Sequence, residues 1–144
     1  MIEFFMPMRI PSTTHQMKQV AVVNGKPRFY EPQDLQDARK KFKAYLGMYR
    51  PSETLTGAVR LVTKWVYASS GKHPANTWKT TRPDTDNMVK LLKDCMTAEG
   101  FWKDDAQVAS EITEKFYGQH EGIYVRVEEI SESWNTRSGL IQQH

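Results

Sequence analysis

Apolar residues alternate with polar ones in several short runs of the chain and recur every three or four residues in two longer runs. Alternation is typical of half-buried strands, whereas three- and four-residue spacing is typical of amphipathic helices. β-branched and aromatic residues are frequent in the short runs, which favours strands there. The pattern predicts six strands, at 2–8, 19–23, 26–30, 59–67, 108–116 and 123–127, and two helices, at 32–47 and 87–99.

Punctuating residues support these boundaries. Asn24-Gly25 separates the second and third strands and suits the positive φ angles of a two-residue hairpin turn. Pro32 suits a helix start and Gly100 a helix end. The apolar residues expected in the core are Leu35, Ala38, Phe42, Tyr45 and Tyr49 from the first helix, and Met88, Leu91, Leu92, Cys95 and Met96 from the second.

Length and composition predict one folded domain. The chain has 144 residues, of which 39% are hydrophobic and 26% charged, and a chain of this size buries a sufficient core without covalent staples. We expect a single domain over 1–130. Residues 131–144 are polar and without a periodic pattern, apart from Trp134, and are expected to form a fraying or disordered tail.

Cysteine usage and the first residues bear on the compartment. Cys95 is the single cysteine, which excludes an internal disulfide framework and a multi-cysteine zinc site and makes a reducing cytoplasm the default. The N-terminal run is short, acidic at Glu3 and interrupted by Pro7, so neither a signal peptide nor a membrane span is expected.

Charge is distributed unevenly although the net charge is only +3. Residues 1–50 hold nine basic and four acidic side chains, 51–103 hold eight and five, and 104–144 hold three and eight. A basic surface beside an acidic cluster suits cleavage of a polyanion, because lysine and arginine bind phosphates while carboxylates bind a metal. On these counts alone, ordinary solvated charge is the favoured interpretation.

Four aspartates lie at the two ends of the second predicted helix. Asp84 and Asp86 precede it, and Asp104 and Asp105 follow it. In an extended segment Asp84 and Asp86 would project from one face; at a helix start their carboxylates would be favoured by the helix dipole. Oxygen ligands of this kind suit a hard divalent cation such as Mg²⁺ or Mn²⁺. For either residue alone, a capping role is the simpler interpretation.

Chain length limits how these ends can meet. A helix over 87–99 is about 20 Å long, and residues 100–105 return at most about 20 Å when extended. Asp105 can therefore just reach Asp86 within one chain, or the carboxylates meet across a dimer interface. Lys90 follows Asp86 by one helical turn and can reach either the carboxylates or a phosphate, a surface ion pair being the alternative.

Several other residues are candidates for DNA contact. The loop over 68–81 is long and without periodicity, which favours a binding loop or local disorder. Trp78 can stack on an unpaired base, or anchor the loop on the core. The candidate DNA-binding residues are Lys18, Lys26 and Arg28 of the hairpin, Lys72, Trp78, Lys79 and Arg82 of the loop region, and Lys115.

Other known motifs are missing from the sequence. An EF-hand starting at Asp84 requires glycine at Val89 and glutamate at Cys95. The chain has no GxSxG, GxxxxGK[ST] or GxGxxG sequence, and its four histidines lack metal-ligand spacing. The D-x-D sequence also occurs in metal-dependent sugar transferases, which keeps that class as an alternative.

The segments RPDTDNMVK and GFWKDDAQV, with nineteen residues from Asp86 to Asp105, resemble the RusA family of Holliday junction resolvases, common in bacteria and their prophages. The resemblance implies an α/β homodimer with a mixed sheet and two main helices that nicks four-way DNA junctions symmetrically with magnesium or manganese. Carried over by position, Asp84, Asp86 and Asp105 are metal ligands, and Lys90 and Asn87 are supporting catalytic residues. A junction-binding protein without catalysis is the main alternative.

Overall fold

The computed structural model describes residues 1–12 and 19–130, and at residues 19–23 and 28–30 it describes the backbone alone. The predicted tail at 131–144 and Lys18 lie outside the described residues. Within them no helix is both long and apolar enough to cross a membrane. The elements are β1 Ile2–Pro7, β2 Gln19–Val23, β3 Lys26–Tyr30, α1 Gln33–Tyr49, β4 Val59–Ala68, α2 Thr85–Ala98, β5 Val108–Gly118 and β6 Gly122–Glu129.

Four of the strands form one mixed sheet in the order β1-β6-β4-β5. β4 pairs with β5 in parallel and with β6 antiparallel, and β1 pairs antiparallel with β6. Parallel neighbours require a crossover, and α2 lies in the chain between β4 and β5. The predicted α/β fold with a mixed sheet and two main helices is confirmed.

Both helices cover the same face of the sheet. Alternate residues of β1, β4 and β6, including Phe4, Leu61, Trp65 and Val125, join the apolar faces of α1 and α2 in one core cluster. The five core residues predicted for α2 are all buried. Burial raises the pKa of the Cys95 thiol to about 11, which keeps it protonated and unreactive.

The β2–β3 hairpin forms as predicted. Asn24 and Gly25 have φ angles of 52° and 76°, the positive values that a tight primed turn requires. Gln19 pairs with Tyr30 and Val23 with Lys26, in a two-stranded sheet of its own. Lys26 is exposed, whereas the side chain of Arg28 lies outside the described residues.

A register shift in β5 separates its apolar residues onto two faces. Val108 pairs with Val59, but the next β4 residue, Arg60, pairs with Ser110, so β5 carries one extra residue there. Because one extra residue reverses the inward and outward positions, Val108 packs on the core while Ile112 lies on the opposite face, 46% exposed. The strand was predicted, but the division of its apolar stripe was not.

The loop after β4 is ordered along the edge of β5, so local disorder is not what the structure shows. Asn76 N–H donates to the Tyr117 carbonyl, and Tyr117 N–H donates to that of Thr77. Lys79 N–H donates in turn to the Lys115 carbonyl. The loop therefore pairs with β5 in the manner of a short additional edge strand. The C-terminal end of the loop leads into the start of α2.

Candidate active site

Two of the predicted ligands lie at the N-terminus of α2. Asp84 is the N-cap residue, with extended backbone angles (φ −71°, ψ 147°), and Asp86 is in the first turn. Asp84 makes no side-chain capping hydrogen bond, and neither carboxylate has a hydrogen bond or ion pair with a described residue. The segment is thus a helix start and not an extended strand. Among residues 1–12 and 19–130, nothing engages these two exposed carboxylates, which are available for a ligand.

A glycine turn reverses the chain at the other end of α2. Gly100 has φ +81°, Phe101 N–H donates to the Met96 carbonyl, and Gly100 N–H donates to that of Thr97. This pair of bonds is a Schellman motif. Phe101 and Trp102 are then fully buried, with Trp102 Nε1 donating to Thr97 Oγ1 at 2.7 Å. The two aromatic residues, for which the sequence argument assigned no role, anchor the returning chain beside the helix.

Asp104 has a structural role in the returning segment. Its side chain accepts a hydrogen bond from Ala106 N–H at 2.9 Å and caps a short 3₁₀ helix, Asp105–Gln107. Gln107 completes the capping box by accepting from the Asp104 N–H at 3.1 Å, and its Nε2 donates to the carbonyls of Leu55 and Gly57. Sequence reasoning missed Gln107, although a glutamine three residues after an aspartate is the pattern of a capping box.

Asp105 returns to α2 within the same chain. Its Oδ2 lies 3.7 Å from Lys90 Nζ, and Lys90 is one helical turn after Asp86. The side chains of Lys90 and Asp105 are 47% and 32% exposed, so water and solutes reach the pair. Closure within one chain, the first of the two alternatives considered, is therefore how Asp105 approaches the helix. Asn87 lies half-buried between the exposed Asp86 and the buried Met88.

The donor set suits a hard cation by its chemistry, because all three carboxylates offer oxygen atoms and two of them have no partner among the described residues. In the described conformation, however, no three His, Cys, Asp or Glu side chains among residues 1–12 and 19–130 are grouped closely enough to hold a metal ion. Asp105 instead pairs with Lys90. The assignment of Asp84, Asp86 and Asp105 as metal ligands stays a prediction.

The DNA-binding candidates near α2 have different surroundings. Lys72 and Arg82 are exposed, and Trp78 is 66% exposed with its ring edge against Phe116. Lys79 Nζ lies 4.8 Å from the ring centroid of Tyr67 and donates to Thr81 Oγ1. These positions leave DNA contact by Lys72, Trp78, Lys79 and Arg82 a prediction.

Lys115 differs from the other candidates because its ammonium is already engaged. Nζ donates to the carbonyls of Thr81 and Pro83, both at 2.6 Å. Pro83 directly precedes Asp84, and Thr81 is three residues before it. The Lys115 ammonium therefore contacts the backbone of the segment that leads into α2.

Tyr67 belongs to the packing beneath α2. Its hydroxyl donates to Met88 Sδ at 3.6 Å, and burial raises the pKa of Tyr67 to about 12. The phenol therefore stays neutral at physiological pH. Tyr67 supports Met88 and Lys79.

Comparison with known proteins identifies the family. The family model described as Endodeoxyribonuclease RusA matches residues 9–128. A protein of Lactococcus phage r1t named crossover junction endodeoxyribonuclease rusA is 32% identical, over 82% of this chain and 90% of that protein. A Bacillus subtilis protein, the uncharacterized YqaN, is also 32% identical, over 77% of this chain and 85% of its own length. The chain belongs to the RusA family of endodeoxyribonucleases.

Proposed function

We propose that this protein is a metal-dependent, structure-selective endonuclease that resolves four-way DNA junctions by paired symmetric nicks in the cytoplasm of a bacterial or phage-infected cell. Family membership and the name of the phage relative support junction cleavage. The observation that carries the site assignment is the return of Asp105 to Lys90, beside the helix start that bears the unpartnered Asp84 and Asp86.

Each residue of the proposed site has a separate role in phosphodiester hydrolysis. Magnesium or manganese held by Asp84, Asp86 and Asp105 would activate the attacking water and stabilise the leaving alkoxide. The free N–H groups of the first α2 turn and the ammonium of Lys90 attract and orient the scissile phosphate. Asp105 in turn limits the side-chain motion of Lys90. Asn87 offers an uncharged amide at the same helix turn.

A junction-cleavage assay tests the proposed function. The purified protein is expected to cut a synthetic four-way junction at symmetric positions in magnesium or manganese, and cleavage should stop when a chelator is added. Linear duplex of the same sequence is the control and should remain uncut. Tight junction binding without cleavage in either metal would support the alternative, a catalytically silent branched-DNA-binding protein.

Symmetric cutting requires two sites, and each chain carries one acidic site, so we propose a two-fold homodimer. The face of the main sheet opposite the helices suits a second copy. It carries apolar and aromatic side chains, of which Ile112 is 46% exposed, and equal numbers of acidic and basic ones. The face includes Phe5, Val62, Val66, Ile112, Phe116 and Tyr124, with Glu3, Glu114, Glu128, Arg60, Lys64 and Arg126.

Size and charge favour a protein partner on this face. Four strands about 4.8 Å apart and eight residues of about 3.4 Å each cover roughly 500 Å² in projection, and side-chain relief brings this near the ~600 Å² per partner of small specific interfaces. Balanced charge suits a self-complementary contact and lacks the positive excess that DNA requires. Trp78 and Phe116 border a cleft of about 340 Å³ at the β5 edge.

Replacing Ile112 with glutamate is expected to convert the dimer to a monomer, because it puts two like charges into an apolar contact. The mass in solution would be measured by light scattering at micromolar concentration. Met48→Glu is the matched control, since Met48 is 71% exposed on α1, away from this face, and should leave the dimer intact. A wild-type monomer, or an Ile112→Glu dimer, would contradict the proposed interface.

A further inference from the structure

A lysine of the main sheet, Lys115, contacts the segment that leads to Asp84. Lys115 lies on β5 opposite Trp65 of β4, whose ring is buried in the core. Paired residues of adjacent strands point to the same face, so Lys115 projects to the side covered by the helices. Its backbone is held on both sides, by β4 and by Lys79 N–H, which donates to the Lys115 carbonyl.

The ammonium of Lys115 connects this rigid strand to the segment that enters α2. Nζ donates to the carbonyls of Thr81 and Pro83 at 2.6 Å each. Among the described turn and loop hydrogen bonds, no backbone N–H donates to either carbonyl. Hydrogen bonds from a charged donor are roughly twice as strong as neutral ones. Without Lys115, the carbonyls of Thr81 and Pro83 would lose this side-chain donor.

Asp84 needs such external support. Its side chain makes no capping hydrogen bond, so the usual local means of holding an N-cap residue is not used. The backbone of Asp84 does take part in the helix, because Met88 N–H donates to its carbonyl at 3.1 Å. Lys115 therefore holds the backbone of Thr81 and Pro83, in the segment that leads into α2, while no described residue engages the Asp84 carboxylate.

The charge of Lys115 is also uncompensated. No described carboxylate lies within ion-pair distance of its ammonium. Lys93, by comparison, pairs with Glu111 at 2.8 Å.

We propose that Lys115 is a positioning residue of the active site, which holds the Thr81–Pro83 carbonyls and thereby sets the Asp84 carboxylate for metal and phosphate. It acts through Asp84 and does not itself contact DNA. The cleavage part of this inference rests on the proposed function. Its structural part can be tested whether or not the protein cleaves junctions.

The test compares Lys115→Met, Lys115→Arg and the wild type, with Lys93→Met as the matched lysine control from the α2–β5 contact. Amide exchange would be measured first, without metal or DNA. Lys115→Met is expected to accelerate exchange of the Met88 amide about tenfold while the Leu92 to Cys95 amides stay unchanged. Lys115→Arg keeps a cationic donor and should recover part of the protection, and Lys93→Met should leave the Met88 amide unchanged.

Metal and DNA measurements separate positioning from direct DNA contact. Mn²⁺ binding by the free protein, measured by calorimetry, should weaken on the order of 10- to 100-fold in Lys115→Met. The single-turnover cleavage rate at saturating junction should fall about 100-fold, with junction affinity in Ca²⁺ unchanged. A phosphate contact would instead weaken junction binding, reduce the salt slope by about 0.9 and preserve the saturating rate.

Each outcome decides the proposal. Unchanged Met88 exchange and unchanged Mn²⁺ affinity in Lys115→Met would overturn it, as would the DNA-contact pattern. If the wild type fails to cleave junctions, the proposed function fails while exchange and Mn²⁺ binding still decide the role of Lys115.

Discussion

Replacing Asp86 with asparagine is expected to abolish junction cleavage and to leave junction binding and folding intact. Asparagine has nearly the shape of aspartate but no charge, so a divalent cation loses a strong ligand at the helix start. Losing several kcal/mol of transition-state stabilisation lowers the rate about a thousandfold or more. Because the carboxylate is exposed and without a protein partner, stability should change only by the helix-dipole contribution, about 0.3–1 kcal/mol.

Single-turnover cleavage and a gel-shift assay in Ca²⁺ would measure the two effects separately. Asp37→Asn is the matched control, since Asp37 is an exposed aspartate of α1 that accepts a hydrogen bond from Gln33. That variant should cleave normally. Intact cleavage by Asp86→Asn would refute the site assignment, whereas loss of binding with loss of cleavage would show that Asp86 serves DNA affinity or folding.

Alanine substitutions at Asp104 and Asp105 are expected to have opposite effects, although the two residues are adjacent. Asp105→Ala should reduce cleavage about a thousandfold, because it removes a proposed ligand and the partner of Lys90. It should change stability little, since exposed ion pairs contribute about 0–1 kcal/mol. Asp104→Ala removes the hydrogen bond to Ala106 N–H and should lower the free energy of unfolding by about 1 kcal/mol.

Urea unfolding and single-turnover cleavage on both variants would check this pair. Asp104→Ala should retain cleavage within a few fold, because Asp104 caps the 3₁₀ helix and has no further described partner. Asp104→Asn is the conservative control, since asparagine also caps helices, and should behave as the wild type. If Asp104→Ala lost cleavage with unchanged stability, Asp104 and not Asp105 would be the ligand.

Elements defined by local patterns were predictable from the sequence. The Asn24-Gly25 turn, the apolar faces of α1 and α2, and the strand positions follow from side-chain periodicity and from residues that tolerate positive φ. The acidic cluster was recognisable because its spacing and flanking residues are specific. Helix length predicted that Asp105 can just return to Asp86 within one chain; the structure shows the return to Lys90, and a joint site with Asp86 stays a prediction.

Features that depend on pairing across the chain were not predictable. The extra residue in β5 sends Ile112 to the face opposite Val108, and periodicity alone treats these residues as one stripe. The bonds from Gln107 Nε2 to the carbonyls of Leu55 and Gly57 could not be predicted, because these acceptors are about 50 residues away in the sequence.

The sequence by itself determined the elements, the family resemblance and the identity of the acidic residues, because these depend on neighbours within one or two helical turns. Only the tertiary structure decided which acceptors each lysine contacts. Lys90 meets Asp105 across a reversed chain, and Lys115 donates to carbonyls more than 30 positions earlier. A lysine has three donors on a flexible stem, so its role follows from whichever acceptors the fold brings within about 3 Å.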